Sequence, residues 1–338
     1  MQFYNNAEQL TCDDVLMVPR YSPIKTREGI DLSTKVGPLQ LDIPIISANM
    51  DTVTGPKMFD AMRSIGGWGW LHRFEEDEVR EKWAVAKYPI TIGIGLKELE
   101  LAKECINQGC NHICIDIAHG DSEHMIDTIK EVRRLSRDIV ICAGNVCTEV
   151  GALRLVDAGI DIVKGGVGPG ANCSTRSVTG HGYPQLSAIE NIANALSFRK
   201  MNHVGLIADG GIRTSGDIVK YLAVGADAVM IGRLFAGTEE TPAPIVPRNG
   251  SGLFKEYRGM ASSSAQNSRP GKFSSRTPEG ISTYIPYQGS VLTIIENLLG
   301  GIRSGLSYSG AFNIQELREN ALFVRVTPLS LAESNTRG

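Results

Sequence analysis

Eight short runs rich in β-branched residues recur along the chain, most ending in Gly, Asp or Asn, with helical patterns between them. They are IPIISAN (43–49), GGWGWLH (66–72), ITIGIG (90–95), HICIDIAHG (112–120), IVICAGN (139–145), IDIVKGG (160–166), VGLIADGG (204–211) and DAVMIG (227–232). Strand-length apolar runs alternating with amphipathic stretches predict βα units and a parallel sheet. The stretches include LKELELAKECINQG (96–109), SEHMIDTIKEVRRL (122–135) and TSGDIVKYLAVGA (214–226), where Thr214 or Ser215 can cap the first turn. Eight units predict a closed (β/α)8 TIM barrel. An open doubly wound sheet usually has fewer strands and a GxGxxG opening, and none follows the first strand here.

The length of 338 residues, 42% of them hydrophobic, suffices for one large core, and a single barrel domain over 1–338 is expected. A net charge of −3 gives no field that would attract nucleic acid or an anionic membrane. A bound phosphate must then be held locally, by backbone amides and a few placed side chains. No stretch approaches the roughly 20 apolar residues of a membrane span, and the N-terminus lacks the regions of a signal peptide, so a cytoplasmic protein is expected. The cysteines Cys12, Cys105, Cys110, Cys114, Cys142, Cys147 and Cys173 are odd in number and lack CxxC or zinc-site spacing. Six read as structural thiols. Cys173 is the exception.

Two insertions break the βα rhythm, a Gly-rich loop at 165–183 and a Ser/Pro/Gly-rich segment at 238–286. Both follow strand C-termini, the face where barrels carry chemistry. The second is too long for an idle connection and is expected to be a flap that closes on ligand.

GGVGPGANCSTR (165–176) carries the strongest chemical signal. Its glycines allow positive φ and close backbone approach, and inward-turned carbonyls there can coordinate a monovalent cation. Cys173, flanked by Ser174 and Thr175, is placed as an accessible thiol open to activation as a nucleophile. IADGGIRTSGD (207–217) and MIGRLFAG (230–237) follow the seventh and eighth strands, where barrels hold phosphate. Gly210, Gly211 and Gly232 can present N–H groups to it, and Asp209 can accept from two ribose hydroxyls. Asp116 ends the fourth strand, as a functional carboxylate or a salt-bridged one. His119 and His124 read as surface groups, and Trp68 and Trp70 as packing.

In order along the chain, LTCDDVLMVPRYS, ANMDTVTG, CIDIAHGDSEH, AGNV, GVGPGANCSTR, IADGGIRTSGD, EYRGM, PEG and LLGGIRSGLSYSGA resemble the family of inosine monophosphate dehydrogenases and guanosine monophosphate reductases. The resemblance covers the whole chain. It implies a (β/α)8 barrel, a homotetramer and a cysteine that attacks purine C2 of a bound nucleoside monophosphate. Cys173 would be that nucleophile, with Thr175 and Glu279 as the acid/base pair. Asp209 would hold the ribose, and Gly210, Gly211, Gly232, Arg233 and Tyr257 the phosphate. Gly259, Met260, Arg276 and Gly280 would contact the base or form the flap. The carbonyls of Gly168, Gly170 and Cys173 would hold potassium. Thr26, Arg27, Arg73, Asp116, Ile117 and Ala118 would line the nicotinamide cofactor groove, with Ser304 reaching the adenine end of a neighbour's cofactor.

Within the family, residues 73–90 directly bridge the point where dehydrogenases typically carry regulatory CBS modules, so that module is expected to be absent. The flap is short and has no Arg-Tyr pair of the kind that activates water in dehydrogenases; the nearest candidate is Arg269, followed by Pro270. TGHGYPQLSA and CIDIAHGDSEH are closer to reductases, whereas MDTVTG, AGTEETPAP, YRGM and the C-terminal tail are closer to dehydrogenases. Ala171 replaces a serine that touches phosphate in most of the family. The water-activating pair bears on mechanism and weighs more, so the sequence reads as an NADPH-dependent GMP reductase. The alternatives are an NAD+-dependent IMP dehydrogenase and, third, an inactive purine nucleotide sensor.

Overall fold

A computed structural model describes residues 8–248, 250, 252–267 and 277–334. Eight parallel strands coincide with the eight apolar runs, one of them reaching a single residue beyond its run. They are β1 (Ile45–Ser47), β2 (Trp68–Gly69), β3 (Ile90–Ile92), β4 (His112–Asp116), β5 (Val140–Val146), β6 (Ile162–Gly165), β7 (Gly205–Asp209) and β8 (Ala228–Ile231). β8 pairs with β1, and the order then runs β1, β2 on one side and β7 down to β3 on the other. A parallel bridge between Leu71 and Ile90 joins β2 to β3 and closes the barrel. Thr91 N–H donates to Leu71 O and Leu71 N–H to Pro89 O, at 3.0 and 2.9 Å.

Each strand is followed by a helix: α1 (Pro56–Ser64), α2 (Asp77–Val85), α3 (Leu96–Asn107), α4 (Glu123–Leu135), α5 (Glu149–Ala158), α6 (Gln185–Phe198), α7 (Ser215–Ala223) and α8 (Val291–Tyr308). α2 connects β2 to β3 with no inserted domain. The helices turn one apolar stripe inward, as periodicity requires. On α4 the buried residues are Met125, Thr128, Ile129 and Val132. α7 begins with a capping box in which Thr214 and Asp217 satisfy each other's backbone N–H.

The two ends of the barrel differ. At the N-terminal end a hairpin, Thr34–Val36 with Leu39–Leu41, forms a plug. It approaches so closely that a Cβ on Gly205 would meet Gly37 N at 2.4 Å. At the other end the chain between β8 and α8 folds into an antiparallel sheet of Ile245–Arg248, Gly252–Arg258 and Ser282–Pro286. The described part of the 238–286 segment is thus largely built structure. Lys255, buried beneath it, donates to the Glu239 and Thr241 carbonyls and to Thr241 Oγ1.

The mouth of β2 is aromatic. Trp68 and Trp70 are buried, their rings 6.1 Å apart and edge-on, and His72 meets Trp83 edge-on at 5.4 Å. Phe74 N–H donates to His72 Nδ1, which favours the neutral ring. Burial, with Arg80 and Arg258 nearby, pushes the His72 pKa down to about 4.

Two stability predictions follow from this packing. Gly205→Ala forces the hairpin outward and destabilises the barrel by about 1–3 kcal/mol; a thermal midpoint equal to the parent's refutes the tight contact. For His72, an unfolded chain titrates near 6.5, so the unfolded state takes up the proton first as pH falls. Its contribution is complete above about pH 6.5 and is lost progressively down to about pH 4, to a total of about 3 kcal/mol. Denaturant midpoints of the parent and His72→Gln should therefore converge between those pH values, and a constant gap would refute the assignment.

Candidate active site

The loop after β6 can follow its path only with glycine at the turning points. Gly166 has φ +138°, and a Cβ there would come 2.5 Å from Asp209 O; Gly168 has φ +82°. The loop then closes on itself through Cys173 N–H donating to Gly170 O at 3.0 Å. Next it pairs with the flap like a short antiparallel ladder. Ser174 N–H donates to Glu279 O at 2.9 Å, and Ile281 N–H donates to Asn172 O at 3.0 Å. The buried Asn172 amide donates to Tyr257 O and Thr283 Oγ1, at 2.8 and 3.0 Å.

That ladder brings together residues 104 apart in sequence. The exposed Cys173 thiol lies 3.1 Å from Thr175 Oγ1, and the Thr175 hydroxyl donates to Glu279 Oε2 at 2.9 Å. Thr175 is itself buried. The arrangement is a continuous hydrogen-bonded chain from an exposed sulfur to a carboxylate, along which a proton can pass. Gly259 and Gly280 flank it, and a Cβ on Gly259 would come 2.7 Å from Asn172 O. The other six cysteines are buried or half-buried.

At the end of β7, Asp209 is engaged through one of its two carboxylate oxygens. Its Oδ2 accepts from Asn145 Nδ2 at 2.8 Å and from Lys164 Nζ at 2.9 Å. The Lys164 ammonium also binds Asp116 Oδ1 at 2.6 Å and contacts Asn145 Oδ1. Burial opposes charge on Lys164, but the Asp116 and Asp209 carboxylates outweigh it and hold the ammonium well above the usual lysine range. Asp116 is therefore salt-bridged. Sequence reasoning missed Lys164 and Asn145, since both lie in strand-like runs and their partners are distant in the chain.

Gly210 and Gly211 follow with φ +90° and +79°. A Cβ on Gly232, after β8, would meet Tyr257 Oη at 3.0 Å and Met50 Sδ at 3.3 Å, so the tyrosine hydroxyl faces that turn. Burial, reinforced by Asp209, pushes the Tyr257 hydroxyl pKa up, with Arg233 opposing; the group is a neutral donor. Met260 is held against the β1 loop, where Asp51 N–H donates to its sulfur at 3.4 Å. Beside it, the Arg258 guanidinium binds Asp51 Oδ2 through Nε and Nη2, at 2.9 and 2.5 Å. Arg276, expected at the base, lies outside the described residues, as does Arg269.

The expected cofactor residues divide into two groups. Asp116, Ile117 and Ala118 sit at the mouth of β4, and Arg73 at the mouth of β2, its guanidinium over the Phe74 ring at 4.5 Å. Thr26 and Arg27 belong instead to a short turn packed on α8, the helix that carries Ser304. For a monovalent cation, the Gly170 carbonyl already accepts one hydrogen bond. The Gly168 and Cys173 carbonyls accept none among the described residues, which fits a hard cation that prefers oxygen.

A cavity of about 850 Å3 opens at the opposite, N-terminal end, beside the hairpin plug. Its Asp227–Arg318 ion pair is closed on itself at 2.8 Å, and its lining holds no cysteine, histidine or tyrosine. Chemistry converges at the other mouth.

The profile described as the IMP dehydrogenase / GMP reductase domain matches residues 9–337. A GMP reductase of Shewanella pealeana is 38% identical over 93% of this chain and 93% of its own. An inosine-5'-monophosphate dehydrogenase of Borreliella burgdorferi is 34% identical over 97% of this chain and 96% of its own. That alignment spans 397 residues against a chain of 338, so the dehydrogenase carries inserted segments absent here. A crystal structure of a GMP reductase variant from Trypanosoma brucei in complex with guanosine 5'-monophosphate superposes with a TM-score of 0.91 at 28% identity, covering 98% of each chain. A barrel of this architecture, matched over nearly its whole length, belongs to the IMP dehydrogenase / GMP reductase family of purine nucleotide oxidoreductases.

Proposed function

We propose that this chain catalyses the NADPH-dependent reductive deamination of GMP to IMP and ammonia, with Cys173 as nucleophile. The observation that carries this reading is the Cys173–Thr175–Glu279 path, assembled by the flap. It is complete without any base for water, and the flap sequence contains no Arg-Tyr pair to supply one. The neighbouring fold in complex with GMP supports the substrate class.

In this reading Cys173 Sγ adds to purine C2, and its proton passes to Thr175 Oγ1 while the threonine proton moves to Glu279. The return of that proton through Thr175 releases the 2-amino group as ammonia and leaves a thioimidate. Two bonds form and two break, so atoms and charge balance. The nicotinamide cofactor supplies a hydride to C2 when bound. The closed flap keeps water from the thioimidate until hydride arrives, Cys173 then departs as thiolate, and one proton taken up from solvent restores the thiol through Glu279 and Thr175. Asp209 would anchor the ribose, and Gly210, Gly211, Gly232, Arg233 and Tyr257 the phosphate. Gly259, Met260, Gly280 and Arg276 would frame the base. Arg73, Asp116, Ile117 and Ala118 would line the cofactor groove; Thr26, Arg27 and Ser304 fit its far end in a neighbouring subunit of a homotetramer. Gly168, Gly170 and Cys173 would present carbonyls to K+. The reading is of one cytoplasmic barrel domain with catalytic loop 165–183 and flap 238–286.

The IMP dehydrogenase reaction is the second reading, favoured by the dehydrogenase relatives; Arg269 or Arg276 would then activate water. GMP with NADPH should consume reduced cofactor, and IMP with NAD+ should not generate it; the reverse result overturns the reductase assignment. Cys173→Ala should cut turnover by roughly a thousandfold or more while nucleotide still binds. Thr175→Ala should cost about 10²–10⁴-fold. Unchanged turnover in Cys173→Ala would refute the nucleophile.

A further inference from the structure

The geometry assigns Lys164 as a positioning residue that ties the nucleotide site to the cofactor site through one buried ammonium. The assignment rests on the proposed roles of Asp209 at the ribose and Asp116 in the cofactor groove.

An ammonium carries three N–H donors. Lys164 has three oxygen partners: Asp116 Oδ1 at 2.6 Å, Asp209 Oδ2 at 2.9 Å, and Asn145 Oδ1. The Asn145 amide orientation is consistent with this, because its Nδ2 donates to Asp209 Oδ2 and to Gly166 O, both at 2.8 Å. Each carboxylate therefore gives one oxygen to the hub. Asp209 Oδ1 and Asp116 Oδ2 have no protein partner among the described residues. Side-chain exposure shows the direction in which they are turned: 2% for Lys164, against 20% for Asp209 and 18% for Asp116. The ammonium lies at the bottom and the two remaining oxygens belong to side chains that reach the barrel mouth.

A purely structural role does not account for this design. Replacing a buried ion network with apolar side chains is often neutral or stabilising, so three charged groups inside a barrel are weak support for stability alone. The hub does something an apolar core cannot. It fixes the rotamers of two carboxylates on β4 and β7, strands that are not neighbours in the barrel, relative to one another. Two carboxylates also share a single cation, so changing the charge on one alters the hold of Lys164 on the other. Neither link involves the Cys173–Thr175–Glu279 path.

The test is a set of cross-effects measured on the full-length protein with GMP and NADPH. In the Lys164 chain, D209N should raise the KM for the cofactor about fivefold or more, and D116N should do the same to the KM for GMP. In a K164M background both cross-effects should vanish, although the direct effects remain. Cross-effects that persist undiminished without Lys164, or that are absent with it, overturn the proposal. A second measurement avoids Lys164 variants, in case K164M does not fold. GMP protection of Cys173 against iodoacetamide, without cofactor, should need about fivefold more GMP in D116N than in the parent. Equal protection overturns the coupling and leaves the proposed function standing. If GMP fails to protect the parent at all, the proposed function itself fails, and the coupling with it.

Discussion

Two backbone hydrogen bonds, Ser174 to Glu279 and Ile281 to Asn172, make one site out of two insertions. Neither the loop after β6 nor the flap after β8 contains the chemistry alone. A thiol and a hydroxyl lie on one and a carboxylate on the other, and only pairing at Cys173 and Gly280 sets them in line. The pairing of the two segments and the alignment of Cys173, Thr175 and Glu279 are thus one arrangement. Side chains outside the Cys173–Thr175–Glu279 chain hold this arrangement in place. Asn172 holds the ladder from beneath, and Arg258 ties the flap to Asp51 on the β1 loop.

The ladder explains why small residues crowd this mouth. Gly259 and Gly280 leave room for the Asn172 carbonyl, and Gly166 leaves room for Asp209 O and the Gln185 amide. A motif that reads as a phosphate or base contact is, in part, a packing requirement of three backbones converging on one point. Both demands act on the same glycines, so the sequence alone does not separate them.

The barrel was legible because its signal is local. A strand at the apolar core and a helix with one apolar stripe are each written in fewer than about fifteen consecutive residues. Seven of the eight strands fall inside the apolar runs and β5 exceeds its run by Val146 alone, and Thr214 caps α7 as its spacing implies. Cys173 was legible for a different reason, as a lone thiol in a loop that glycine alone can turn. The flap sheet was not, because Ser, Pro and Gly conceal strands whose pairing is set by the barrel beneath. Lys164 was also hidden: in IDIVKGG it resembles an ordinary strand residue, and its partners Asp116 and Asp209 lie 48 and 45 residues away. Long-range charge pairing leaves no periodicity to read.

Reductase and dehydrogenase chemistry make opposite demands on the same covalent adduct. A hydrolysing enzyme must bring water to the thioimidate and deprotonate it. A reducing enzyme must keep water away until hydride arrives, since hydrolysis would waste the adduct. A Thr–Glu path that shuttles the thiol's own proton serves the second demand fully. In the proposed reductase reaction the proton that leaves sulfur on attack would be the one that the departing amine needs, so no solvent base would enter the first half-reaction. In that reading the segment that carries Glu279 would both complete the path and cover the adduct. Replacing Glu279's carboxylate would therefore disturb proton transfer and leave the backbone ladder, formed by its carbonyl, in place.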